Sequence, residues 1–119
     1  MPDHSEIDKI ADRLRSSTKK LHELVPLLGM AKQVKEFSSD QRKQALAVEM
    51  VKSLKAGEGA AASDAIARAS DAYAAKMTQL GKDYAEAERV IAEWKATQAS
   101  FEAARSLLSM QRENLRQLS

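Results

Sequence analysis

The chain has 119 residues, 44% of them apolar but only 4% aromatic, with 4 glycines, 2 prolines and no cysteine. It carries 19 Lys and Arg against 17 Asp and Glu, a formal net charge of +2. Without cysteine there is no thiol catalysis, thiolate zinc site or disulfide, and the near balance of charge is far from that of a dedicated nucleic-acid binder. So few turn residues, beside so much Ala, Leu, Glu, Lys, Arg and Gln, argue against a β-sandwich or a dinucleotide-binding α/β domain and for long helices with solvated faces. The expected fold is all-α and one domain overall: a helical segment over 1–37, then a helical hairpin over 38–119 with a long coiled-coil-like C-terminal helix, the bundle completed by oligomerisation. No apolar stretch is long enough to cross a membrane, and Met1-Pro2-Asp3-His4-Ser5-Glu6 lacks the basic and apolar blocks of a signal peptide, so a soluble cytoplasmic protein without membrane partners is expected.

In chain order, the first helix is expected to start near Ser5 as N-cap, with Glu6 and Asp8 in the first turn where negative charge suits the helix dipole. Its apolar stripe is Ile7, Ile10, Leu14, Leu21, Leu24 and Leu28, a heptad spacing with Ser17 in the one missing place. Pro26 and Gly29 predict a kink or stop around Leu24, with a short helix resuming through Met30, Val34 and Phe37. Ser38-Ser39-Asp40 reads as a fresh start, capping a helix through Gln41, Leu46, Met50, Val51 and Leu54 that ends at Gly57 and Gly59. Ser63-Asp64 is then placed to cap the next helix.

From Asp64 onward there is no Pro and only Gly81, which predicts one rod of about 55 residues, on the order of 80 Å. Tyr73, Met77, Leu80, Tyr84, Ala87, Ile91 and Trp94 recur in steps of four and three. Beyond Trp94 the stripe changes phase, continuing as Phe101, Ala104, Leu108, Leu115 and Leu118 with Leu107 beside it. The helices expected ahead of it are too short to cover such a rod. Its seam (Tyr73, Met77, Leu80, Tyr84, Ile91, Trp94, Phe101, Leu108 and Leu115) is therefore expected to meet another copy, with a break and fold-back at Gly81 as the alternative. The Ala-rich stretch from Ala60 to Ala75 would allow close helix approach in either case.

Catalytic constellations are scarce. His4 and His22 are the only histidines, and neither has a second ligand at i+4, so a surface or capping role is expected for His22. Ser63 and Ser70 have no His or Lys placed to activate them, and Gly57-Glu58-Gly59 lacks the rest of a dinucleotide fingerprint. Glu86, Glu88 and Glu93 read as helix-surface carboxylates, and Glu49 with Lys52 and Asp71 with Lys76 have rough ion-pair spacing. No enzyme, cofactor or metal is expected.

The basic residues are more informative. Lys9, Arg13, Arg15, Lys19 and Lys20 crowd the first helix, and at 100° per residue Lys9, Arg13 and Lys20 fall within about 40° of one another. A second set, Lys32, Lys35, Arg42, Lys43, Lys52 and Lys55, surrounds the middle of the chain, and Arg105, Arg112 and Arg116 lie near its end. Lys9, Arg13, Lys19, Lys20, Lys52 and Lys55 are the candidates for meeting an acidic partner or phosphates. The aromatics lie mostly on the stripe and are expected to pack rather than stack on bases.

Tyr84-Ala85-Glu86-Ala87-Glu88-Arg89, Ala92-Glu93-Trp94-Lys95-Ala96, the run Phe101 to Ser109 and the closing Arg112-Glu113-Asn114-Leu115-Arg116 resemble small helical bacteriophage proteins that accompany single-strand annealing recombinases and single-stranded-DNA-binding proteins. Val51-Lys52-Ser53-Leu54, followed by a Gly-containing break and an Ala-rich entry, is similar to the turn that precedes the long helix in those proteins. The likeness spans about residues 45–119 and assigns no functional residue. It implies a non-enzymatic phage or prophage accessory of DNA recombination or replication in the bacterial cytoplasm. Such an accessory would partner itself and a recombinase, a single-stranded-DNA-binding protein or a host complex, with DNA as a further partner. The alternative, from another class, is a helical interaction protein that inhibits or scaffolds a host machine, such as a defence system, without binding nucleic acid.

Overall fold

The computed structural model describes residues 4–118, side chains from Ser5. Three helices account for the fold: α1 His4–Lys55, α2 Ala60–Ala69 and α3 Asp71–Leu118. The all-α architecture and the long C-terminal helix are as expected. The segmentation differs in four places, each with a physical reason.

First, α1 is one helix of 52 residues with Pro26 inside it. Proline removes one backbone bond and crowds the carbonyl four residues back, here that of His22, at roughly 3 kcal/mol. His22, Pro26 and Gly29 are all exposed, so that carbonyl can turn to water, while Leu24 and Ala31 on the other face are buried. Packing on both sides of the proline overrides the local break. Second, Ser38 caps nothing. It lies within α1 and is buried, a small residue where the helix faces its neighbour. The expected boundary between residues 37 and 38 therefore falls inside a helix. Ser5, too, lies within the first turn, because α1 already begins at His4.

Third, the rod expected from Asp64 is broken at Ser70, which takes an extended conformation (φ −72°, ψ 145°). Its Oγ accepts from the Tyr73 amide at 3.1 Å and donates to the Ala67 carbonyl at 2.8 Å, so one side chain closes α2 and caps α3. Ser63, expected as a cap, is instead fully buried inside α2, which starts after Gly59. Gly81 breaks nothing; α3 is continuous over 48 residues. Fourth, the phase change in α3 comes at Val90 and Ile91 rather than beyond Trp94. The row Tyr73, Leu80, Ala87, Trp94, Phe101, Leu108, Leu115 runs on without interruption in steps of seven, and the row beside it passes from Met77, Tyr84 and Ile91 to Val90, Thr97, Ala104 and Gln111. Thr97 is buried, and its hydroxyl is satisfied by the Glu93 carbonyl at 2.8 Å.

The end of α1 is built as the glycines imply. Gly57 takes φ +95°, the left-handed region that glycine tolerates. The amides of Gly57 and Glu58 donate back to the carbonyls of Leu54 and Ser53 at 3.0 and 3.2 Å, a Schellman C-cap.

The chain forms two compact units, Met1–Gly29 with Val90–Ser119, and Met30–Arg89. In the first unit the opening of α1 packs antiparallel on the end of α3: Arg13 Nε donates to Ser100 Oγ at 3.2 Å, and Lys20 Nζ lies 3.1 Å from Glu93 Oε1. Leu24, Val90, Thr97, Ala104 and Leu108 are buried there, with Ser17 between the leucines as its place in the stripe implies. The side chains of Ser17, Thr97 and Ala104 are small enough for close helix approach. In the second unit, the rest of α1 packs antiparallel on the start of α3 beside α2. Lys35 reaches Glu88 Oε1 at 3.8 Å, and Ala31, Ser38, Ser53, Ser63, Ala67, Leu80 and Ala87 are buried.

Candidate interaction surface

The nine seam residues of α3 lie on the face that its own chain covers. Leu80 and Leu108 are buried, and Tyr73, Met77, Tyr84, Ile91, Trp94, Phe101 and Leu115 are half-buried. Among the described residues of the first unit α1 is the only other helix, so α1 supplies the cover there. The expected need for a sister molecule at this seam rested on having no intramolecular partner of comparable length. The 52-residue α1 is such a partner.

All six candidate cations are exposed. Lys9, Arg13, Lys19 and Lys20 fall in the first unit, where Arg13 is hydrogen-bonded to Ser100 and Lys20 is bridged to Glu93. Lys52 and Lys55 fall in the second, where Lys52 Nζ holds Glu49 Oε1 at 2.9 Å. Among the described residues no carboxylate lies within salt-bridge reach of Lys9, Lys19 or Lys55. The pair anticipated between Glu49 and Lys52 forms; none forms between Asp71 and Lys76 among those residues.

The carboxylates divide into two kinds. Glu88 and Glu93 reach across to Lys35 and Lys20 on α1. Glu86 stays on its own helix, where hydrogen bonds from the Arg89 guanidinium, 2.7 and 2.9 Å away, hold its carboxyl below the usual range. His22 is exposed, and no group of three or more His, Asp or Glu among the described residues is placed to hold a metal. The side chain of His4 lies outside the described residues. No described helix is long and apolar enough to cross a membrane.

A shallow groove of about 370 Å³ in the second unit escapes a reading based on apolar spacing. Lys35, Ser38, Ser39, Arg42 and Tyr84 line it. Lys35 Nζ stands 5.4 Å from the centre of the Tyr84 ring, within cation–π range. Lys35 and Arg42 continue the row Leu14, Leu21, Leu28 in steps of seven, so two cations occupy places where the first unit has leucine. Lys35 is also 3.8 Å from Glu88 Oε1, so phosphate or carboxylate oxygens entering this recess would meet Arg42 and share Lys35 with Glu88, beside the serine and tyrosine hydroxyls. The signal was present in the sequence as a heptad row whose members turn from leucine to Lys and Arg.

Compared with known protein families, with curated proteins and with solved structures, the chain matches none.

Proposed function

We propose that this protein is a non-enzymatic, self-associating helical accessory of phage or prophage DNA recombination or replication. It acts by binding DNA, a protein of that machinery, or both. The observation that carries this reading is the cationic groove of Lys35 and Arg42, with exposed Lys9, Lys19 and Lys55 as further contacts for phosphate or for an acidic partner. Binding of this kind is electrostatic and weakens steeply with salt, because each neutralised phosphate releases counterion.

A second reading has its own support. Val25 and Leu27 on α1 and Leu107 and Met110 on α3 are exposed apolar side chains that suit a protein partner without nucleic acid, as in an inhibitor or scaffold of a host machine.

Polarisation of a fluorescent single-stranded oligonucleotide at about 50 mM salt separates the two. The nucleic-acid reading predicts binding that weakens as salt rises and falls several-fold in a Lys35→Glu/Arg42→Glu variant of unchanged helicity. Absence of binding at low salt removes DNA from the proposal and leaves the protein-partner reading.

A further inference from the structure

α1 carries a second heptad stripe in the second unit, separate from the seam that faces α3. Val34, Gln41 and Val48 form one row in steps of seven; Met30, Phe37, Gln44 and Val51 form the other. Together they alternate in steps of four and three, the spacing of a coiled-coil face, about 110° around the helix from the seam. Much of this face is open: Met30 is 64% exposed, Phe37 48%, Val48 51% and Val51 48%, while Val34 is half-buried and Gln41, Gln44 and Val48 border a groove whose other wall is Ala72, Tyr73 and Lys76 of α3.

The order of residues along the stripe identifies its occupant. Antiparallel helices pair positions whose numbers sum to a constant. With a twofold axis between residues 42 and 43, Gln41 faces the partner's Gln44, Phe37 faces its Val48, and Val34 faces its Val51. At the rim, Met30 lies along the aliphatic stem of the partner's Lys55. Polar meets polar at the centre, where two glutamine amides can each donate and accept, and apolar meets apolar on both sides. On the outer flank Gln33 and Asp40 meet Leu54 and Ala47, so no like charges oppose there. Leu54, itself 46% exposed, gains cover. A stripe that is its own complement under a twofold rotation is what an isologous contact requires.

We propose that the Met30–Val51 face of α1 binds the same face of a second copy, antiparallel, to form a homodimer. This rests on the self-association in the function proposed above and is independent of its nucleic-acid arm.

The chain has no cysteine, so introduced thiols report register directly. An equimolar mixture of full-length Val34→Cys and Val51→Cys chains, mildly oxidised or treated with a short bis-maleimide, is expected to cross-link to a dimer. Either variant alone is expected not to, since in this register two Val34 positions stand about 26 Å apart along the helix axis. Cross-linking of Val34→Cys alone would overturn the antiparallel pairing. Light scattering that gives a dimer without cross-linking in the mixture would place self-association on another face and overturn the stripe assignment. A mass of 13.1 kDa at the highest soluble concentration would overturn self-association altogether and leave the oligonucleotide result standing. Phe37→Lys, which leaves the α3 seam untouched, should raise the dimer Kd about tenfold or more with helicity retained. An unchanged Kd would contradict the proposal.

Discussion

The two units use the same heptad rows to different ends. Along one row of α1, Ile7, Leu14, Leu21 and Leu28 in the first unit give way to Lys35, Arg42 and Glu49 in the second. Among the described residues the first unit buries three large aliphatic side chains, Leu24, Val90 and Leu108, beside Ser17, Thr97 and Ala104, while the second buries Leu80 and otherwise Ala and Ser. In the second unit four large apolar residues of α1, Met30, Phe37, Val48 and Val51, are exposed on the outer face, while Val34, Leu46 and Met50 are half-buried. The lesson is a division of labour: the seam of the first unit supplies stability, and the second exchanges core packing for a cationic groove and an apolar face turned outward.

Substitutions that remove atoms should act oppositely in the two units. The largest effect is expected from Leu108→Ala in the first unit, because Leu108 is buried and its truncation leaves a cavity. A loss of about 2–5 kcal/mol in urea unfolding is predicted; a loss no larger than that of an exposed leucine would contradict the seam. In the second unit the sign should reverse. Ser63 is fully buried and its Oγ finds no partner, so Ser63→Ala removes an unsatisfied hydroxyl and adds a better helix former. A gain of about 1 kcal/mol is predicted from the same unfolding curves, and a loss would mean that the hydroxyl is satisfied.

The sequence disclosed the all-α class, the stripe from Ile7 to Leu28 with Ser17 in its gap, and the glycine-capped end of α1, because each is written in apolar spacing or backbone freedom. It misled at Pro26, Gly29 and Ser38, where local breaking signals are overridden by packing on the opposite face. Ser70-Asp71 is a sound N-cap pair, but it stands within an Ala-rich helix-favouring stretch with no Pro or Gly beside it, so the break there is not marked. The groove was hidden for a related reason: Lys35 and Arg42 hold seam places, and a stripe followed only through apolar residues stops at Leu28. The outer stripe was hidden by the expected break at residue 38, which assigned Phe37 and Val51 to different helices and dissolved the pattern they share. Of the six cations singled out, Lys20 and Lys52 are bridged to Glu93 and Glu49, and the groove is made by Lys35, itself 3.8 Å from Glu88, and Arg42 of the second basic set.

The α3 seam is closed by α1 of the same chain, and the outer face of α1 is thereby open to a second copy. Spin labels at Arg13→Cys and Ser100→Cys, sites in direct contact at 3.2 Å in the native chain, test this closure most directly. A short spin–spin distance is predicted that persists when the doubly labelled chain is diluted into excess unlabelled protein. A short distance that disappears on such dilution would show that a sister molecule, not α1 of the same chain, covers the seam, and would contradict the account.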